Sequence, residues 1–144
     1  MAFTGNFMCT SFKVELMTAT HNFTNRTGNT FNIAMYDNSA SFTAATTAYT
    51  ASNEVTGTAY VAKGNTLVNV TPTSTSTPAF TDCGDSTWSS ATITARGAMI
   101  FNDTASGDPS VVILDFGSDK SSSSGDFTIV FPTGDSTSAI IRIA

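Results

Sequence analysis

Two apolar, β-branched runs on either side of a turn-rich stretch constrain this chain more than any other feature. The first run enters at Ala91 and ends at Asn102, and the second is the unbroken Val111-Val-Ile-Leu114. Between them, Asp103 to Ser110 contains Gly107, Asp108 and Pro109. Apolar runs bounding such a segment read as a β-hairpin whose loop exceeds the tightest two-residue turns. An uninterrupted apolar run is what a strand covered on both faces requires. Within the first run, Ala95-Arg-Gly97 breaks the alternation, and a glycine inside a strand pattern suggests a β-bulge.

The rest of the chain supplies short strands around this hairpin. Phe31, Ile33 and Met35 alternate with Asn32 and Ala34, a half-buried strand from Thr30 to Tyr36. Ser41 to Asn53 reads as a long loop anchored by Phe42 and Tyr49. Thr58–Ala62 and Thr66–Thr71 read as strands around Lys63-Gly-Asn65, and Ala79–Asp82 as a short one. Pro72 to Pro78 is a low-complexity connector, extended because residues before proline avoid the helical region. Asp115 to Gly125, with Ser121 to Ser124, reads as a solvated loop. Phe127 to Phe131 and Ile140 to Ile143 then close the chain as strands.

One helix is expected, from about residue 11 to 20, where Phe12, Leu16, Ala19 and Phe23 fall near one face; a strand is the alternative there. It should end at His21-Asn22. Ser and Thr make up roughly 30% of the residues, a composition that suits strands and turns over helices. Together these features predict an all-β fold, an antiparallel sandwich or barrel of about seven to nine strands with one N-terminal helix. At 144 residues the chain is read as an arm, 1–10, followed by a single domain, 11–144.

Charge narrows the chemistry. Only 12% of residues are charged and the net charge is −5, with the six cations Lys13, Arg26, Lys63, Arg96, Lys120 and Arg142 scattered singly. Nucleic-acid binding needs clustered cations, so no nucleic-acid partner is expected. No apolar run reaches the ~18 residues that span a membrane, so no membrane partner is expected either. The N-terminus carries no basic region followed by an apolar stretch, so a secretory signal is not expected. Cys9 and Cys83 are far apart and read as two unpaired thiols of a reducing compartment, with a single disulfide between them as the alternative.

No reactive constellation emerges. His21 is the sole histidine and sits where a helix should end, a place where histidine satisfies the last carbonyls. Two cysteines and one histidine do not make a zinc site. The aspartates lie mostly in turns, where Asx chemistry explains them without calcium. Trp88 reads as a core-edge aromatic. No enzyme, metal or cofactor is expected. Arg96 and Arg142 interrupt apolar surroundings, either as edge residues whose stems pack while their heads reach water, or as subunit-interface ion pairs.

Several segments together resemble a family of small tailed-bacteriophage virion proteins. They are Ser11-Phe-Lys-Val-Glu-Leu16 with His21-Asn-Phe23, Phe31-Asn-Ile-Ala-Met-Tyr36, Thr47-Ala-Tyr-Thr50 and Asn53-Glu-Val-Thr-Gly57. Ala95-Arg-Gly-Ala-Met-Ile-Phe-Asn102, Leu114-Asp-Phe-Gly-Ser-Asp119 and Ala139-Ile-Ile-Arg-Ile-Ala144 complete the set. The resemblance covers most of the chain in order, and Cys83-Gly84 and the 72–78 connector depart from it. It implies a structural component of the virion, assembled in the bacterial cytoplasm. Within that class it points to a head decoration or cement protein bridging neighbouring capsomers. The partners would be the major capsid protein or other virion proteins, with homo-oligomers in the particle. The alternative is a tail, neck or fibre-associated module binding a host surface glycan. Phe3 and Phe7 of the arm with Phe12 of the helix are then the attachment patch, and Arg96 and Arg142 the interface cations.

Overall fold

In the computed structural model, which describes residues 3–144, the predicted hairpin is the longest feature of the protein. The elements in chain order are β1 (Phe7–Met8), α1 (Thr10–Met17), β2 (Phe31–Tyr36), β3 (Asn65–Thr66), β4 (Asn69–Ser74), β5 (Ala79–Cys83), β6 (Ser86–Asn102), β7 (Ser110–Ile129) and β8 (Ile141–Ile143). They form two antiparallel sheets, β1-β7-β6-β2-β3 and β4-β5-β8. The protein is an all-β sandwich with one short helix, as its sequence predicts.

β6 and β7 pair from Ser86↔Ile129 to Phe101↔Ser110. The lower half, Arg96–Asn102 against Ser110–Ile113, is buried throughout. Its connecting turn is held by Asn102, whose Oδ1 accepts from the amides of Thr104 and Ala105 at 3.0 and 3.1 Å. That is the Asx geometry a polar turn favours. β2 lies between β6 and β3, and all six of its residues are buried. It is therefore not the half-buried strand its alternation suggests. Phe23 stacks on Phe31 with ring centroids 4.3 Å apart, and Phe42 meets Tyr36 edge-on at 4.7 Å.

The upper half of the hairpin corrects another expectation. Asp115–Gly125 is not a solvated loop, because β7 runs through it to Ile129. Serine and threonine hydroxyls pair across the two strands. Thr94 meets Ser121 and Thr87 meets Thr128, both at 2.8 Å, while Ser122 Oγ donates to the Ala91 carbonyl at 2.9 Å. Such cross-strand hydroxyl pairs stabilise a ladder that has little apolar side chain to offer. On β6, Trp88, Ala91, Ile93 and Ala95 point inward while Thr87, Thr92 and Thr94 face out.

The proline-rich connector also turns out to be a strand in part, since β4 includes Pro72. β4 is an edge strand, and its register with β5 shifts between Val70 and Thr73. Edges and bulges are where a residue without an N–H can sit in a sheet. Thr58–Ala62, by contrast, is no strand; Thr58 makes one isolated bridge to Thr92. The positive φ of Lys63 (71°) and Gly64 (66°) turns the chain into β3.

α1 stops three residues before Thr20. Thr20 N donates to Glu15 O (2.9 Å) and Ala19 N to Leu16 O (3.3 Å), with Ala19 at φ 58°. This is a Schellman ending with alanine where glycine is the favoured residue. Ala19 is exposed, so only backbone strain is at stake. Ala19→Gly should raise stability by about 1 kcal/mol, read as a shifted midpoint in chemical denaturation. A lower midpoint would contradict the strained ending.

Candidate functional site

His21 lies beyond the end of α1 and turns inward, its side chain fully enclosed. Phe12 (5.0 Å), Phe31 (6.1 Å) and Phe23 (6.3 Å) surround its ring. Asn102 Nδ2 lies 3.1 Å from Nδ1. Because Asn102 Oδ1 already accepts two amides, its NH2 must face the ring, so Nδ1 is the acceptor. Nε2 therefore carries the proton and donates to Glu15 Oε2 at 2.7 Å. The ring caps no helix carbonyl. It ties α1 to the hairpin turn, with both nitrogens engaged.

A second polar group gathers around Glu54. Its Oε1 accepts from Tyr60 OH (2.8 Å) and from Lys63 N (2.7 Å), and its Oε2 accepts from Tyr49 OH. Tyr60 OH in turn accepts from Met35 N at 2.8 Å, which joins this loop to the centre of β2. Burial, then the hydrogen bond to Glu54, pushes the Tyr49 phenol up to about 12. Burial and the Glu54 charge push Tyr36 and Tyr60 further in the same direction. All three stay protonated at ordinary pH. Lys63 Nζ lies 2.7 Å from Asp103 and 2.8 Å from Asp108, over the rings of Tyr49 and Phe101. Hydrogen bonds to the two aspartates raise its pKa, so it is an ammonium clamping both ends of the hairpin turn.

The cysteines are free thiols, as expected. Burial raises the Cys9 thiol, and burial followed by the Asp82 charge pushes Cys83 up to about 12. Neither has the thiolate character that reactivity needs.

The five expected interface residues do not share a surface. Phe3 is 2% exposed and Phe12 fully buried, so neither is available to a partner in this fold. Two aromatic rings gain more by joining the core than by lying in water. Phe7 is half-buried in the β1–β7 ladder, opposite Ile113. Arg96 is 8% exposed and its NH1 lies 2.6 Å from Asp115 Oδ1. Its head therefore does not reach water, contrary to the edge-residue reading, and its ion pair lies within the chain. Arg142 alone is exposed, on β8, where NH1 donates to Ser136 O at 3.1 Å.

The bulge expected near Gly97 is present between Ala95 and Gly97, with its extra residues on β7. Ala95 pairs with Lys120 and Gly97 with Asp115, so Phe116 to Asp119 bow out opposite Arg96. In a straight strand, eleven residues span about 36 Å. Here the bulged strand coils enough to bring Phe116 within 6.3 Å of Phe127, between ring centroids. The two rings line an open cleft of about 420 Å³ with Lys120, Thr128, Ile129 and Val130. Clefts of this size and apolar character hold small ligands or a partner's side chains. No sequence signal foretold this cleft, because it depends on a bulge inside a stretch that reads as a loop.

Glu54→Gln should cost about 2 kcal/mol by removing a charged acceptor of three donors. A double-mutant cycle with Tyr60→Phe should show coupling above about 0.5 kcal/mol in urea denaturation. Additive losses would mean that Glu54 does not organise this loop. No family model matches the chain, and no curated protein or solved structure matches it.

Proposed function

We propose that the protein is a structural component of a bacteriophage virion, a head decoration or cement protein bridging neighbouring capsomers. One observation carries the structural part of this reading. The buried or part-buried polar groups His21, Glu54 and Arg96 are bonded within the fold, whereas several large apolar side chains face outward. Met17 is 80% exposed, Val61 73%, Val130 71%, Val68 65% and Ile143 57%. These side chains, spread over several elements, offer apolar area that a partner would cover. The virion assignment itself is supported by the resemblance of the segments running from Ser11 to Ala144.

A standard interface takes about 800 Å² from each partner. That is roughly a ninth of the 7131 Å² surface, which leaves room for contacts with two capsomers. The energy would come from buried area, with the major capsid protein as partner. A second reading, a tail, neck or fibre-associated module, draws on the Phe116–Phe127 cleft, where an aromatic ring could face a host glycan.

Copy number separates the two. Quantitative mass spectrometry of purified virions should give between one copy per capsid subunit and one per few. A ratio lower by tens-fold would move the protein to the tail or neck, and absence from the particle would refute both.

A further inference from the structure

Four of the residues lining the Phe116–Phe127 cleft are consecutive: Phe127, Thr128, Ile129 and Val130. Neighbouring side chains of a strand point to opposite faces, so a cleft lined by all four borders the strand's edge as well as a face. That edge is the outer one. The inner edge is taken by β6 through Ser86↔Ile129, Thr87↔Thr128 and Trp88↔Phe127, in unbroken register, and no residue of β6 lines the cleft. On the outer edge, β1 covers Val112 and Ile113, and Asn6 Oδ1 accepts from Asp115 N at 2.7 Å. Beyond Asp115 no strand among the described residues pairs with it.

Much of that free edge is unsuited to a partner strand. Phe116 to Asp119 bow out, Lys120 adds a charge, and Ser124 has φ 50°. Bulges and lysines are the devices that keep sheet edges from pairing indiscriminately. From Phe127 to Ile129 these interruptions end, and the regular edge coincides with the cleft. Phe116, Phe127, Ile129 and Val130 supply its apolar walls, and Lys120 is the sole charge in that lining. Lys120 Nζ meets Ser118 Oγ at 3.0 Å, and no ion pair among the described residues includes it.

We infer that the outer edge of β7 at Phe127–Val130 takes an extended segment of a partner protein as an added strand, one carrying a bulky apolar residue and an acidic residue two positions apart. The segment's backbone pairs with the free edge, its apolar side chain enters beside Phe116 and Phe127, and its carboxylate meets Lys120. Residues two apart share one face of a strand, so a single pass serves both contacts. In this mode main-chain hydrogen bonds supply affinity and side-chain pockets supply specificity. A sugar would use the rings and leave the strand edge unpaired, so the geometry favours a peptide. The inference does not rest on the virion reading.

The test titrates the wild-type protein with amidated octapeptides labelled at the N-terminus. Each alternates threonine with one apolar residue (Phe, Leu or Tyr) and, two positions on, one Glu. Saturable binding by fluorescence anisotropy is expected, with amide exchange slowed at outward-facing positions of Phe127–Val130 when peptide is present. N-methylation of the peptide backbone removes the pairing donors and should weaken binding about tenfold or more. Lys120→Glu should weaken it about fivefold, and a peptide with Lys in place of Glu should recover the loss. The inference is overturned if no peptide binds up to about 1 mM, if N-methylation or Lys120→Glu leaves affinity unchanged, or if exchange at Phe127–Val130 does not respond. The N-methylation and exchange arms use the wild-type protein, so they decide the matter even if the variant does not fold. Binding of a labelled oligosaccharide without peptide binding, or self-association through this edge, would also overturn it and assign the cleft to a glycan or a second copy.

Discussion

The main-chain ladder between β6 and β7 is the interaction on which the other elements depend. In its lower half, residues 97–102 face β2 on one edge and β7 on the other, and β7 in turn carries β1. Met99, Phe101, Val111 and Ile113 are fully buried. Each such side chain contributes about 1.5–3 kcal/mol when taken from water. The aromatic residues of α1 and the segment after it then close over β2, with His21 and Asn102 providing the polar joint. The second sheet adds Ile141 to the same core.

At the midpoint of this ladder sits the Arg96–Asp115 ion pair. Two charges largely removed from water stabilise little by attraction alone, but an unpaired one would be costly. Asp115 is held further by Gly117 N at 2.8 Å, while its own amide is taken by Asn6. The pair lies where β7 bows out, beside the end of the N-terminal segment and next to Phe116. The bulge, the N-terminal segment and the cleft thus meet around one local arrangement. The same arrangement explains why Gly97 must be small: Phe3 and Leu114 O occupy the space that a Cβ would take.

Several of these features could be read from the residues alone. The hairpin, the β2 and β5 strands, the helix and the disturbance at Gly97 all follow from local periodicity and turn chemistry. What failed locally did so because tertiary pairing overrode composition. Ser121–Ser124 looks like a loop, yet Ser121, Ser122 and Ser124 find partners on a strand some thirty residues earlier. Pro72 looks like a linker, yet an edge bulge accommodates it. The Glu54 group was invisible because its partners Tyr49, Tyr60 and Lys63 converge only once the loop has folded back on β2. Phe3 and Phe12 read as attachment residues because nothing in their spacing reveals Gly97 or the His21 pocket.

Amide hydrogen exchange across Lys120–Gly125 tests the central claim most directly, because the upper half of the ladder exists only if this serine-rich stretch is strand. Because the outer edge of β7 pairs with no strand here among the described residues, the ladder predicts exchange slowed by roughly a hundredfold or more at the amides that face β6, with the outward-facing ones left fast. Exchange at unstructured-chain rates at the β6-facing amides as well, with protection confined to Gly97–Asn102 and Ser110–Leu114, would contradict the account and return the segment to a loop.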